Sequence, residues 1–137
     1  MNCQLSVVNY EVVREIVAHA REAAPDECCG LLLGRGGTID EAARTRNIAD
    51  DPTMRFLVDP KDHFDRRRTA RERGLEVVGF YHSHPHSPAE PSARDLAEFS
   101  YPDHLYVIVS LRAGPAQVAV FRFEGGCFRP LTLITGD

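Results

Sequence analysis

No stretch of this chain approaches the roughly 18 consecutive apolar residues that a membrane-spanning helix needs, so a transmembrane protein of that kind is not expected. The opening residues, Met1-Asn2-Cys3-Gln4-Leu5, carry neither the basic stretch nor the apolar core of a secretion signal, and a cytoplasmic location is the default expectation. A C-x-x-C pair is also missing. The four cysteines are Cys3, Cys28, Cys29 and Cys127, and a disulfide framework is not expected in a chain that can build a core of this size. Cys28 and Cys29 sit in an apolar run and read as small, inert strand residues facing opposite ways. Excess positive charge is absent too: the formal net charge of -4 argues against generic nucleic-acid binding. The local exception is the run Arg66, Arg67, Arg68, Arg71 and Arg73. It reads as the solvated face of a helix, with a docking patch for an acidic partner as the alternative. No internal repeat, low-complexity tract or linker interrupts the chain.

What remains is an ordinary globular composition, 43% hydrophobic and 26% charged over 137 residues, which fits one domain spanning 1–137. Leu5 and Val7 alternate weakly, as in a strand. From about Val8 to Ala24 the spacing of Val13, Ile16, Val17 and Ala20 is helical, and Pro25 ends the helix. Cys28 to Gly34 is apolar on both faces, like a buried strand, and Gly34-Arg35-Gly36-Gly37 turns it. A second strand is expected over Thr38 to Ile48, and another short one over Arg55 to Val58. Asp59 caps a second helix opened by Pro60 and running to Gly74. Leu75 to Tyr81 reads as a buried strand, Ser92 to about Ser100 as a short helix. Leu105 to Leu111, Gln117 to Phe123 and Cys127 to Leu133 complete the strands. The expected class is α/β, a mixed β-sheet flanked by helices.

The chemistry concentrates between Tyr81 and Leu96. His82, His84 and His86 fall within five residues at the end of a buried strand. Residues at i and i+2 of an extended chain share a face, so His82 and His84 can aim two imidazoles at one point, as a metal requires. Pro85 helps stop the strand just past the second of them. A zinc site needs a further protein ligand, and Ser92-Ala93-Arg94-Asp95 begins the next helix. Ser92 as N-cap and Asp95 in the first turn make good capping physics with no metal at all. A carboxylate held there is equally a well-oriented third ligand. Two imidazoles and one carboxylate would leave a tetrahedral zinc one open position for water, the arrangement of a hydrolytic site. Spacing alone leaves both readings open.

His82-Ser83-His84-Pro85, with seven residues between His84 and Ser92 and two between Ser92 and Asp95, resembles the JAMM signature of the MPN+ metallopeptidases, H-x-H-P followed by S-x-x-D. The segment Pro25-Asp26-Glu27-Cys28-Cys29-Gly30-Leu31-Leu32-Leu33-Gly34 is similar to the upstream part of that family, where its catalytic glutamate stands. The resemblance covers nearly the whole chain and implies a cytidine-deaminase-like α/β architecture, about one zinc per chain on His82, His84 and Asp95, and catalytic roles for Glu27 and Ser92. Glu27 would be the general base and Ser92 a hydrogen-bond donor to the developing oxyanion. It further implies, as substrate, a ubiquitin-like β-grasp protein cut after its C-terminal glycine, for which compact bacterial members use sulfur carriers. His86 is expected in an exposed loop. Ser83 is expected to face away from the two ligands and bond within the scaffold. Glu90 and His104 have no motif behind them.

Three other readings compete. A non-catalytic MPN-type scaffold would lack one or more of the ligands that this chain keeps. A zinc deaminase would need H-x-E and P-C-x-x-C, neither of which occurs. A cupin-type oxygenase shares H-x-H, but its glutamate spacing and glycine pattern do not appear.

Overall fold

The computed structural model describes residues 5–98 and 101–136, without the side chains of 5–7, 96–98 and 134–136. Cys3, the side-chain alternation read at Leu5 and Val7, and the far end of the helix expected to reach Ser100 lie outside the described residues. The elements are β1 (Leu5–Asn9), α1 (Tyr10–Ala23), β2 (Cys29–Gly34), β3 (Thr38–Ile39), β4 (Glu41–Thr45), α2 (Pro60–Glu72), β5 (Glu76–His84), α3 (Ala93–Glu98), β6 (Leu105–Ser110), β7 (Gln117–Glu124) and β8 (Cys127–Gly136). They form one mixed sheet in the order β3-β1-β8-β7-β6-β5-β2-β4. β5 and β6 run parallel, as do β1 with β8 and β1 with β3, while β2 pairs antiparallel with both β4 and β5. The α/β class expected from the sequence is the one observed.

Helix α1 starts at Tyr10 because Val8 is taken by β1, where it pairs with Ile39 and Thr135. The Asn9 side chain caps it by accepting from the Glu11 N–H. Its buried stripe is Val12, Ile16 and Ala20, with Val13 and Val17 on the flanks. The true apolar face is therefore rotated slightly from the one expected. Asp59 caps α2 through the Lys61 N–H, with Pro60 in the first turn, as expected. No described helix is long and apolar enough to cross a membrane.

Strand β2 is buried along its whole length and sorts its side chains between two cores. Cys28 and Leu32 join the α1 core with Ile16, Tyr81 and Val107. Cys29, Leu31 and Leu33 join the opposite core with Phe56, Ala70, Phe80 and Ile108. The adjacent cysteines thus face opposite ways, as an extended backbone requires, and both are free thiols.

Two expected strands differ from the structure. The run from Thr38 to Ile48 is broken at Asp40: Ile39 pairs with β1 and Glu41 with β2. One residue therefore separates the two ends of the strand order, and the sheet curls until those ends meet. The stretch Arg55 to Val58 is a loop that pairs only through an isolated bridge, Asn47 to Val58, beyond the end of β4. The Asn47 side chain replaces a ladder there. Its Oδ1 accepts from the Ala49 and Leu57 N–H groups, and its Nδ2 donates to the Glu27 and Arg55 carbonyls.

Gly79 sets how closely β5 and β6 approach. A Cβ placed there would lie 1.9 Å from the Leu105 carbonyl oxygen, a backbone atom that cannot rotate away. Gly79→Ala is therefore expected to destabilise the fold by about 3 kcal/mol. A urea unfolding curve checks this, with the midpoint lowered and the slope unchanged.

Candidate metal centre

The centre is assembled from three chain segments. Strand β5 supplies His82 and His84 on one face, and α3 supplies Asp95 from its first turn. The segment entering β2 supplies Glu27. Within the β2–β5 pair Cys29 lies opposite His82, and the Ser83 N–H donates to the Cys28 carbonyl at 3.1 Å. Continuing that register puts Glu27 beside His84 and on the same face as both histidines. Ser83 faces the other way, fully buried, and its Oγ accepts from the Cys28 N–H at 2.8 Å.

One atom from each of His82, His84 and Asp95 converges on a common point. His82 Nε2 lies 3.0 Å from His84 Nε2 and 3.2 Å from Asp95 Oδ2, and His84 Nε2 lies 3.3 Å from the same oxygen. A tetrahedral ion with bonds of about 2.0–2.1 Å needs ligand atoms roughly 3.3 Å apart. The triangle therefore fits such an ion. All three residues are buried, and two imidazole nitrogens facing each other at 3.0 Å are poorly served by one carboxylate oxygen alone. A cation at their centre would answer all three at once. Among the described residues, His82, His84 and Asp95 are the one group able to hold a metal.

Surrounding groups hold the triangle. His84 Nδ1 lies 2.8 Å from the Pro88 carbonyl, and a proton donated there leaves the Nε2 lone pair facing the centre. The Phe56 ring stacks on His82 with centroids 4.4 Å apart. His82 Nδ1 is buried with no hydrogen-bond partner, so packing fixes that ring. Ser92 and Asp95 form a capping box: the Asp95 N–H donates to Ser92 Oγ at 3.0 Å, and the Ser92 N–H donates to Asp95 Oδ2 at 2.8 Å. The oxygen that caps the helix is the oxygen that meets both histidines. Phe56 and Pro88 escaped sequence reasoning, because an aromatic and a carbonyl in loops give no periodic signal.

Burial and hydrogen bonding pull the charges in different directions. Burial would raise the Asp95 carboxyl, but hydrogen bonds with His82 and His84 and from the Ser92 N–H hold it far below the usual carboxylate range. Burial drives His82 down, toward the neutral form. For His84 burial works the same way, but the Asp95 carboxylate and the Pro88 carbonyl outweigh it and raise the group. Glu27 is pushed up to about 7 by burial, partly offset by the His84 charge and Arg94. A carboxyl poised near neutrality beside the His82–His84–Asp95 triangle suits proton transfer.

Of the other histidines and carboxylates considered from sequence, His86 and Glu90 are exposed and His104 stacks on Phe80, two residues before His82 on β5. On α2, Arg68 pairs with Asp65 and Arg66 donates to the Arg44 carbonyl, and just past its end Arg73 pairs with Glu41, so much of the basic run is spent within the fold.

Comparison with known proteins gives one consistent result. The family described as prokaryotic homologs of the JAB domain matches residues 10–123. A desampylase from Haloferax volcanii is 34% identical over 124 residues, covering 86% of this chain and 87% of the relative. A CysO-cysteine peptidase from Mycobacterium tuberculosis is 35% identical over 109 residues, covering 77% of this chain and 73% of the relative. Among solved structures, a protein from Desulfitobacterium hafniense superposes with a TM-score of 0.87 at 29% identity, covering 97% of this chain and 94% of that one.

The raised Glu27 carboxyl has a stability consequence in metal-free protein. A carboxyl lifted from 4.5 to about 7 binds its proton more tightly when folded. The stability it contributes is present below the unfolded value and is lost as pH rises through the folded one. Glu27→Gln removes that loss. The variant is expected to match the parent near pH 4 and to exceed it by about 1–3 kcal/mol near pH 8, measured by urea unfolding in chelator.

Proposed function

The chain belongs to the family of prokaryotic homologs of the JAB domain and is a hydrolase, and from there we propose a zinc-dependent peptidase or isopeptidase that cuts after the C-terminal glycine of a ubiquitin-like, sulfur-carrier-type protein. The observation that carries this reading is the His82–His84–Asp95 triangle, with edges of 3.0, 3.2 and 3.3 Å, together with Glu27 on the same face. The relatives named desampylase, CysO-cysteine peptidase and TtuB-protein conjugate cleaving protease support the substrate class.

In this reading His82 Nε2, His84 Nε2 and Asp95 Oδ2 hold the ion. Zinc there would supply Lewis acidity, bringing the pKa of a bound water from about 15.7 to about 7. Glu27 accepts the proton of the attacking water and hands it to the departing amine, a double duty suited to a carboxyl near neutrality. Ser92 Oγ already accepts from the Asp95 N–H, so its own hydrogen is free to donate to the carbonyl oxygen as charge develops. Zinc is favoured over magnesium or calcium by the two imidazoles, since those harder ions prefer all-oxygen shells.

Purified protein is expected to carry about one zinc per chain, and His82→Ala or His84→Ala should lose it, as metal analysis by mass spectrometry would show. Glu27→Gln should keep most of the metal yet show no cleavage of a carrier extended beyond its terminal glycine. Retained turnover would remove Glu27 from the mechanism. Ser92→Ala should lower kcat by roughly 10²–10³ and cost about 1 kcal/mol of stability through the lost cap.

A further inference from the structure

Two members of the centre take their support from outside the sheet. Glu27 stands before β2, whose pairing with β5 begins at Cys29. Its N–H donates to the Pro52 carbonyl at 2.7 Å, and its own carbonyl accepts from Asn47 Nδ2 at 2.9 Å. His82 is held differently from His84. The Nδ1 of His84 meets the Pro88 carbonyl, whereas the buried Nδ1 of His82 has no hydrogen-bond partner. On the His82 ring lies Phe56, itself buried, with centroids 4.4 Å apart and ring planes 25° from parallel. Asn47, Pro52 and Phe56 all belong to the segment between β4 and α2.

One side chain ties these supports together. A side-chain amide offers two donor hydrogens and two acceptor lone pairs, and Asn47 fills all of them. Nδ2 donates to the Glu27 carbonyl at 2.9 Å and to the Arg55 carbonyl at 3.1 Å. Oδ1 accepts from the Ala49 and Leu57 N–H groups, each at 3.0 Å. Arg55 and Leu57 flank Phe56, so the amide grips the chain on both sides of the ring that covers His82. The same nitrogen holds the backbone of Glu27. Aspartate would lack both donors, and glutamine would be one methylene too long for the same four partners. We propose that Asn47 is a positioning residue that fixes Glu27 and, through Phe56, the His82 imidazole in one frame, so that base and metal ligand keep their mutual place. Asn47 touches none of the reacting atoms. The proposal rests on the peptidase reading above for the role of Glu27, and on the His82–His84–Asp95 triangle for the metal. Its effect is large because proton transfer and metal ligation both weaken steeply when a group shifts by a fraction of its bond length.

The test has two readouts: zinc affinity, by competition with a chromogenic chelator, and kcat and KM at saturating zinc on a carrier extended beyond its terminal glycine. Asn47→Ala is expected to weaken zinc binding by roughly 10–100-fold and to lower kcat by roughly 10–100-fold, with KM little changed. Phe56→Leu should weaken zinc binding similarly, and the double variant should bind zinc no more weakly than the worse single one, because both act through His82. Asn47→Asp keeps the two accepted bonds and loses the two donated ones. It should lose kcat likewise, and it reads the tie to Glu27 where Asn47→Ala does not fold. Asn9→Ala removes the cap of α1, whose buried side joins the core opposite the histidine face. This control for general destabilisation should leave both readouts as they were. Native zinc affinity and kcat in Asn47→Ala overturn the proposal, as does a loss confined to KM. Additive losses of zinc affinity with Phe56→Leu, or an equal loss in Asn9→Ala, overturn it too. If native zinc-loaded protein cleaves no such carrier, the peptidase reading falls, and zinc affinity with its double-variant comparison still decides the place of Asn47.

Discussion

The register of one strand pair governs the rest of this molecule. Cys29 opposite His82 in the β2–β5 ladder decides that Glu27 falls beside His84 and on the same side of the sheet. Antiparallel partners share a face, and a slip of one residue would send every β2 side chain to the other core. Glu27 would then enter the α1 layer, away from both histidines. Several features guard against that slip. Cys28 and Ser83 are tied on the opposite face by a side-chain bond of 2.8 Å and a backbone bond of 3.1 Å. Gly30 leaves room for the Tyr81 ring, which a Cβ would meet at 2.3 Å. Leu31 and Leu32 are both fully buried, on opposite faces, so neither can exchange sides without loss.

That register also concentrates polar groups where water is scarce. Glu27, His82, His84 and Asp95 are all buried, and His82 Nδ1 has no hydrogen-bond partner there. Burial forces Glu27 up and His82 down, so the metal-free centre keeps its groups away from the forms they would adopt in water. An ordinary core would replace such groups with apolar ones. Their retention at a single point, stacked against Phe56 and held to the Pro88 carbonyl, costs stability that only a bound cation or a reaction would justify.

Period-two alternation was enough to put His82 and His84 on one face, because both lie on one strand and the relation is local. Ser92 and Asp95 were legible for a similar reason, as a capping pair spaced along a single helix start. Glu27 was not legible from the residues alone. Its place depends on how two strands more than fifty positions apart align, and only the family resemblance pointed to it. The Asp40 break shows the same limit: Thr38 to Thr45 has the composition of one strand, yet the curl of the sheet assigns its halves to different neighbours. In the loop, Asn47 defeated the strand expected over Arg55 to Val58, since a side-chain amide there takes hydrogen bonds that a ladder would have used. That loop carries Phe56 onto the His82 ring, and no periodicity announces it.

Asp95 joins the two readings that its sequence position allowed. A carboxylate that merely caps a short helix gains from the N–H groups of the first turn while staying in water. Asp95 makes the capping bond, but through Oδ2, which is buried between two imidazoles at 3.2 and 3.3 Å. Capping alone does not require that burial. The box instead serves as the support a ligand needs: the Ser92 N–H fixes the orientation of the carboxylate, and the Asp95 N–H fixes Ser92 Oγ with its hydrogen still free. Helix start and candidate metal ligand are therefore one arrangement, and the same two hydrogen bonds place the hydroxyl that faces the substrate in the proposed reaction.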